Sequence, residues 1–73
     1  LPRVNARETV AALVKAGFVV TRRSGGHIFL ANLQTRRRTV VSDHGGRDLP
    51  TGTLHGILKQ AGMSVEEFVS LLK

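Results

Sequence analysis

The chain contains no cysteine, tryptophan or tyrosine, and only five acidic residues among its 73. Without Cys there is no disulfide to staple a small fold, no thiolate zinc site and no cysteine nucleophile. No apolar run approaches the roughly 18 residues of a membrane-spanning helix, and no signal-peptide hydrophobic segment is visible. Paired carboxylates, histidines at metal-ligand spacing and a phosphate-binding P-loop are also missing, and Ser24, Ser42 and Ser64 stand in no triad context. No metal and no cofactor is therefore expected. Aromatics are reduced to three Phe. An exposed stacking platform would compete with the core for those three side chains, so the composition favours contact through phosphate over stacked bases.

What remains is a basic, foldable domain. Eleven Lys and Arg against five Asp and Glu give a formal charge of +6, and 41% apolar residues separate the chain from basic disordered tails. The length suits one domain over residues 1–73. The charge points to a polyanionic partner.

Local signals set the order of elements. Asn5 with Glu8 forms a capping-box pattern, Val10, Leu13 and Val14 follow at helical spacing, and Gly17 stops the helix predicted over 5–16. Phe18 to Thr21 reads as a short strand ending in Arg22-Arg23, and Ser24-Gly25-Gly26 as a turn. His27 to Ala31 is the returning strand, and a turn around Asn32 to Thr35 leads to a third strand over 37–42. The Gly-rich stretch 43–48 is a loop. Pro50 opens a second helix that Thr51 or Thr53 could cap, with Leu54, Ile57, Leu58 and Ala61 as its apolar stripe and Gly62 as its stop. Ser64 with Glu67 is a second capping box, Met63 and Phe68 suit a hydrophobic staple, and Val65, Phe68, Val69 and Leu72 give the last helix its buried side. The expected fold is α+β: a three-stranded antiparallel meander with two main helices on one face and a short C-terminal helix.

Five of the eleven basic residues, Arg22, Arg23, Arg36, Arg37 and Arg38, fall at strand ends or turns, with no acidic residue between positions 9 and 42. Antiparallel connections place the two clusters at opposite ends of the sheet, joined along its open face. The planar guanidinium fork suits phosphate. A solvated face that keeps a small domain soluble is the plainer reading of such a run.

The three histidines are not equivalent. His55 reads as a surface residue of the second helix. His44, after Asp43, suits a structural role, an RNA contact or proton transfer. His27 follows Gly25-Gly26, where the lack of Cβ atoms permits close approach of a ligand, and Arg22 and Arg23 flank the same turn. A histidine can carry a proton near neutral pH and neighbouring arginines can stabilise a negatively charged phosphorane, a combination suited to ribonuclease chemistry. On local grounds alone, a lone histidine in a turn is more often an ordinary residue.

One set of motifs runs along almost the whole chain: Ala16-Gly17-Phe18, then Gly25-Gly26-His27, Thr39-Val40-Val41 leading to His44, and Gly52-Thr53-Leu54 continuing through Ile57-Leu58-Lys59-Gln60-Ala61-Gly62 to Glu67-Phe68. The set resembles the HicA family of toxin ribonucleases from bacterial toxin–antitoxin operons. Order and spacing along almost the whole chain carry the likeness. The resemblance implies an αβββα fold like that of double-stranded-RNA-binding domains. It also implies a catalytic His for mRNA cleavage at His27, in a turn supported by Ser24, Gly25 and Gly26. A HicB-type antitoxin would cover the site. This picture expects a cytoplasmic toxin with no membrane contact, monomeric alone and hetero-oligomeric with its antitoxin. Gly26 stands where the family's motif has Ser, and Ser42 where Pro is often found.

Duplex binders of this fold concentrate Lys at the start of their second helix. Here that start, Thr51 to Gly56, has no Lys, and Lys59 alone follows. Lys59 joins the five arginines as a candidate RNA contact, but the basic surface has moved to the strands. Two further functions stay open: a non-catalytic RNA-binding module, and an interaction domain for an acidic protein.

Overall fold

The computed structural model describes residues 2–43 and 45–73. The order is α1 (Ala6–Lys15), β1 (Val19–Ser24), β2 (His27–Asn32), β3 (Arg37–Ser42), α2 (Thr51–Ala61) and α3 (Val65–Leu71). The strands form one antiparallel sheet in the order β1-β2-β3. The α+β architecture and the placement of the helices against one sheet face are as expected.

Local chemistry explains most boundaries. Asn5 Oδ1 accepts from the Glu8 amide at 2.9 Å and Glu8 Oε1 accepts from the Asn5 amide at 3.1 Å, a reciprocal capping box. Ser64 and Glu67 repeat it at α3, at 3.1 Å in both directions. Gly62 ends α2 in the left-handed conformation, φ 71°. The start of α2 differs from expectation: Pro50 is the N-cap, no side chain caps the helix, and Thr51 is already helical. Thr51, Gly52 and Thr53 are exposed, so water can take the amide donors that a hydroxyl cap would otherwise satisfy. Likewise β1 begins one residue late and runs on through Arg22, Arg23 and Ser24, because cross-strand pairing with β2 overrides their weak strand propensity.

The core lies between the helices and one face of the sheet. Leu13, Phe18, Leu30, Val41, Leu54, Ile57, Leu58 and Phe68 are all buried there. Alternation along β2 and β3 sends Ile28, Leu30, Asn32, Thr39 and Val41 to that side. Thr39 is the polar member of the stripe, and its hydroxyl donates to Gln60 Oε1 at 2.9 Å. Two apolar side chains expected inside are out: Val14 is half exposed and Val69 is exposed. Thr9 is buried in α1, with its hydroxyl donating to the Asn5 carbonyl at 2.8 Å. Phe68 alone is fully buried in α3.

Candidate nucleic-acid interface

The site is built on the face of the sheet that no helix covers. Between β1 and β2, Gly25 and Gly26 have φ values of 54° and 82°. Two consecutive positive φ angles define the tight hairpin turn whose twist matches the flanking strands, and glycine adopts them without strain. The turn pairs Ser24 with His27, and β3 sets Ser42 on the other side of His27. His27 is exposed and on the open face, since its neighbour Ile28 points into the core.

The next position is decided by a bulge. Val20 pairs with Leu30, but Arg22 pairs with Phe29, leaving Thr21 as an extra residue in β1. An unbroken alternation from Val20 would turn Arg22 toward the helices. The added residue instead puts Arg22 on the open face, with its guanidinium carbon 5.2 Å from the Phe29 ring centre. The open face therefore carries a grid of three rows: Ser24, His27 and Ser42; Arg22, Phe29 and Val40; Val19, Ala31 and Arg38. A shallow depression of about 510 Å³ runs over it, lined in part by Arg22, Phe29, Ala31, Leu33, Arg38 and Val40.

The other basic residues separate by side and by end. Arg23, paired with Ile28, turns to the helix side, where it lines a cleft of about 310 Å³ with Arg7, Val10, Ile28 and Asp43. The Asp43 carboxylate is turned to the following loop, accepting from the Gly45 and Gly46 amides at 3.1 and 3.4 Å. Arg36 closes the β2–β3 turn with φ 62°, the left-handed region that favours glycine. Its amide donates to the Asn32 carbonyl at 2.7 Å, and Asn32 Oδ1 accepts from the amides of Gln34 and Thr35. Arg36 and Arg38 share a second hollow with Ala31 and Leu33. Arg37 alternates to the helix side and lies across Gly62: a Cβ there would fall 2.7 Å from the Arg37 Cδ and Cζ. It thus sets a cation at the C-terminal end of α2, where the helix dipole favours one.

Lys59 and His55 are exposed on α2, in the layer on the far side of the sheet from His27. His44 lies outside the described residues. Among the described residues, no three His, Cys, Asp or Glu side chains gather. The structure thus brings together His27, Arg22, Arg38 and Arg36 along one face, with Ser24 beside His27, and holds Arg23, Arg37 and Lys59 apart from them. One participant is not legible in the sequence: Phe29 falls in a predicted strand whose two faces the sequence does not tell apart, and only the pairing with Arg22 and Val40 sets it on the open one.

A small α+β domain with one sheet face sealed by helices and the other bare, basic and histidine-bearing is the class these features define. Residues 6–63 match the family described as HicA toxin of bacterial toxin-antitoxin, a span that includes α1, all three strands and α2. The chain belongs to the HicA toxin family. No curated protein matches it.

Proposed function

We propose that the protein is an endoribonuclease, the toxin of a toxin–antitoxin pair, that cleaves mRNA at the open sheet face with His27 as its acid–base group. The observation that carries this reading is the position of His27: exposed at the start of β2, beside a glycine turn, one row from Arg22 on the same face. Glycines leave the approach to the imidazole unobstructed. In the reaction the RNA 2′-hydroxyl attacks its own phosphorus, a P–O bond forms and the P–O5′ bond breaks. The products are a 2′,3′-cyclic phosphate and a 5′-hydroxyl. One proton leaves the attacking oxygen and one is given to the departing oxygen. His27 carries one of these transfers, and Arg22 stabilises the charge building on phosphorus. No metal is needed for such a step, so cleavage should persist in chelator. A HicB-type antitoxin neutralises the toxin by covering this face, and the toxin works in the cytoplasm, where mRNA is.

The test is end-group analysis of RNA incubated with the purified protein. Cyclic-phosphate ends are expected, and His27→Ala should slow cleavage about 10²–10⁴-fold with the thermal transition unchanged. Equal cleavage by a folded His27→Ala protein would sink the role of His27. If wild type binds RNA without cutting it, the non-catalytic binding module is the correct reading.

A further inference from the structure

The composition argues that three Phe would be consumed by the core. Two are: Phe18 and Phe68 are 3% and 0% exposed. The third is not. Phe29 lies only half-buried on the open face, at the centre of the grid, two residues along β2 from His27. That spacing along a strand is about 7 Å. Leu33 and Val19, 78% and 47% exposed, extend the apolar surface around it. Arg22 caps one side of the ring and Arg38 stands diagonally across the sheet in the adjoining row. None of the residues lining the depression is acidic.

An apolar floor with cations at opposite corners matches a nucleotide, which has a flat apolar base and an anionic backbone. It does not match a duplex, whose bases are stacked on each other and present only edges, sugars and phosphates to a protein. We propose that Phe29 is a base-stacking position: an unpaired ribonucleotide lays its base on the Phe29 ring, Arg22 and Arg38 hold the flanking phosphates, and the RNA presented to His27 is therefore single-stranded. This rests on the ribonuclease reading and adds to it the strandedness of the substrate. The contact is made to the face of the base, so it tolerates different sequences.

The experiment uses two probes that lack the attacking hydroxyl: a single-stranded 2′-O-methyl RNA dodecamer, and an abasic phosphodiester chain of equal length. Binding is followed by fluorescence anisotropy, with circular dichroism to check folding. Wild type should bind the base-bearing chain about 5- to 100-fold more tightly than the abasic one. Phe29→Leu, which keeps an apolar partner for Val40, should lose most of that preference and bind the abasic chain as wild type does. Phe29→Tyr should restore it. Arg22→Ala and Arg38→Ala should weaken both probes. If Phe29→Leu binds the base-bearing chain as tightly as wild type while the arginine variants still weaken it, the stacking position is overturned and RNA binding stands. The apolar floor would then belong to a protein partner. If wild type binds neither chain, both the stacking position and the ribonuclease reading fail.

Discussion

The two faces of the sheet are made from the same strands, yet they obey different rules. On the helix side, Ile28, Leu30, Thr39 and Val41 are buried, and the polar hydroxyl among them is satisfied by Gln60. On the open side, His27, Phe29 and Ala31 alternate with those residues along β2, flanked by Arg22 and Arg38. A half-covered antiparallel sheet ordinarily turns polar side chains to water. This one leaves an aromatic and several aliphatic groups there, beside concentrated positive charge. The helix side holds the fold together, while the open side carries an arrangement that folding does not require.

The sharpest way to break that division is to truncate opposite positions. Leu30→Ala removes a side chain that is 1% exposed and should cost about 2–5 kcal/mol, a large share of what a domain of this size possesses. Val40→Ala, on the open face and only half-buried, should cost less, about 1 kcal/mol, because part of its side chain already meets water. Urea titration of both proteins measures the difference; equal costs would mean that the open face is part of the core.

Adjacent arginines give a finer comparison. Arg38 faces the depression, whereas Arg37 crosses to lie over Gly62. Arg38→Ala should lower the slope of log affinity against log salt for single-stranded RNA by about 0.7, the release from one phosphate. Arg37→Ala should leave the slope alone and cost about 0.3–1 kcal/mol of stability, through the end of α2. A reversed outcome would place the wrong arginine on the RNA.

Arg36 holds a left-handed backbone without being glycine. Arg36→Gly should raise stability by about 1 kcal/mol and weaken RNA binding at low salt, since the side chain adjoins Arg38. Calorimetry together with anisotropy would register the exchange. A variant that gains stability and keeps its full affinity would show that this strained arginine does not contact RNA.

Features written in neighbouring residues were readable in advance. The capping boxes at Asn5 and Ser64, the glycine turn before His27, and the limits of β3 each depend on contacts within a few positions. The side taken by Arg22 did not, because it depends on which residue of β1 pairs with Phe29, and the extra Thr21 shifts that pairing. Arg37 and Gly62 are 25 positions apart in sequence (62 − 37), and no local pattern announces their contact. Val14 and Val69 fit a helical stripe by spacing, but each stripe proved wider than the surface available to bury it. For the site, His27 and the arginine clusters could be named from sequence. Their division between two faces, and the partial exposure of Phe29 on the open one, come from strand register.

The bulge at Thr21 has a consequence for colloidal behaviour. Both β1 and β3 are edge strands, each offering unpaired backbone groups to a second sheet. An irregular, more strongly twisted β1 carrying Arg22 and Arg23, and a β3 that begins with two arginines, make poor templates for lateral growth. Stripping several of these charges at once removes a guard against self-association. Multiple arginine variants should therefore be sized by chromatography before a loss of activity is credited to RNA contacts.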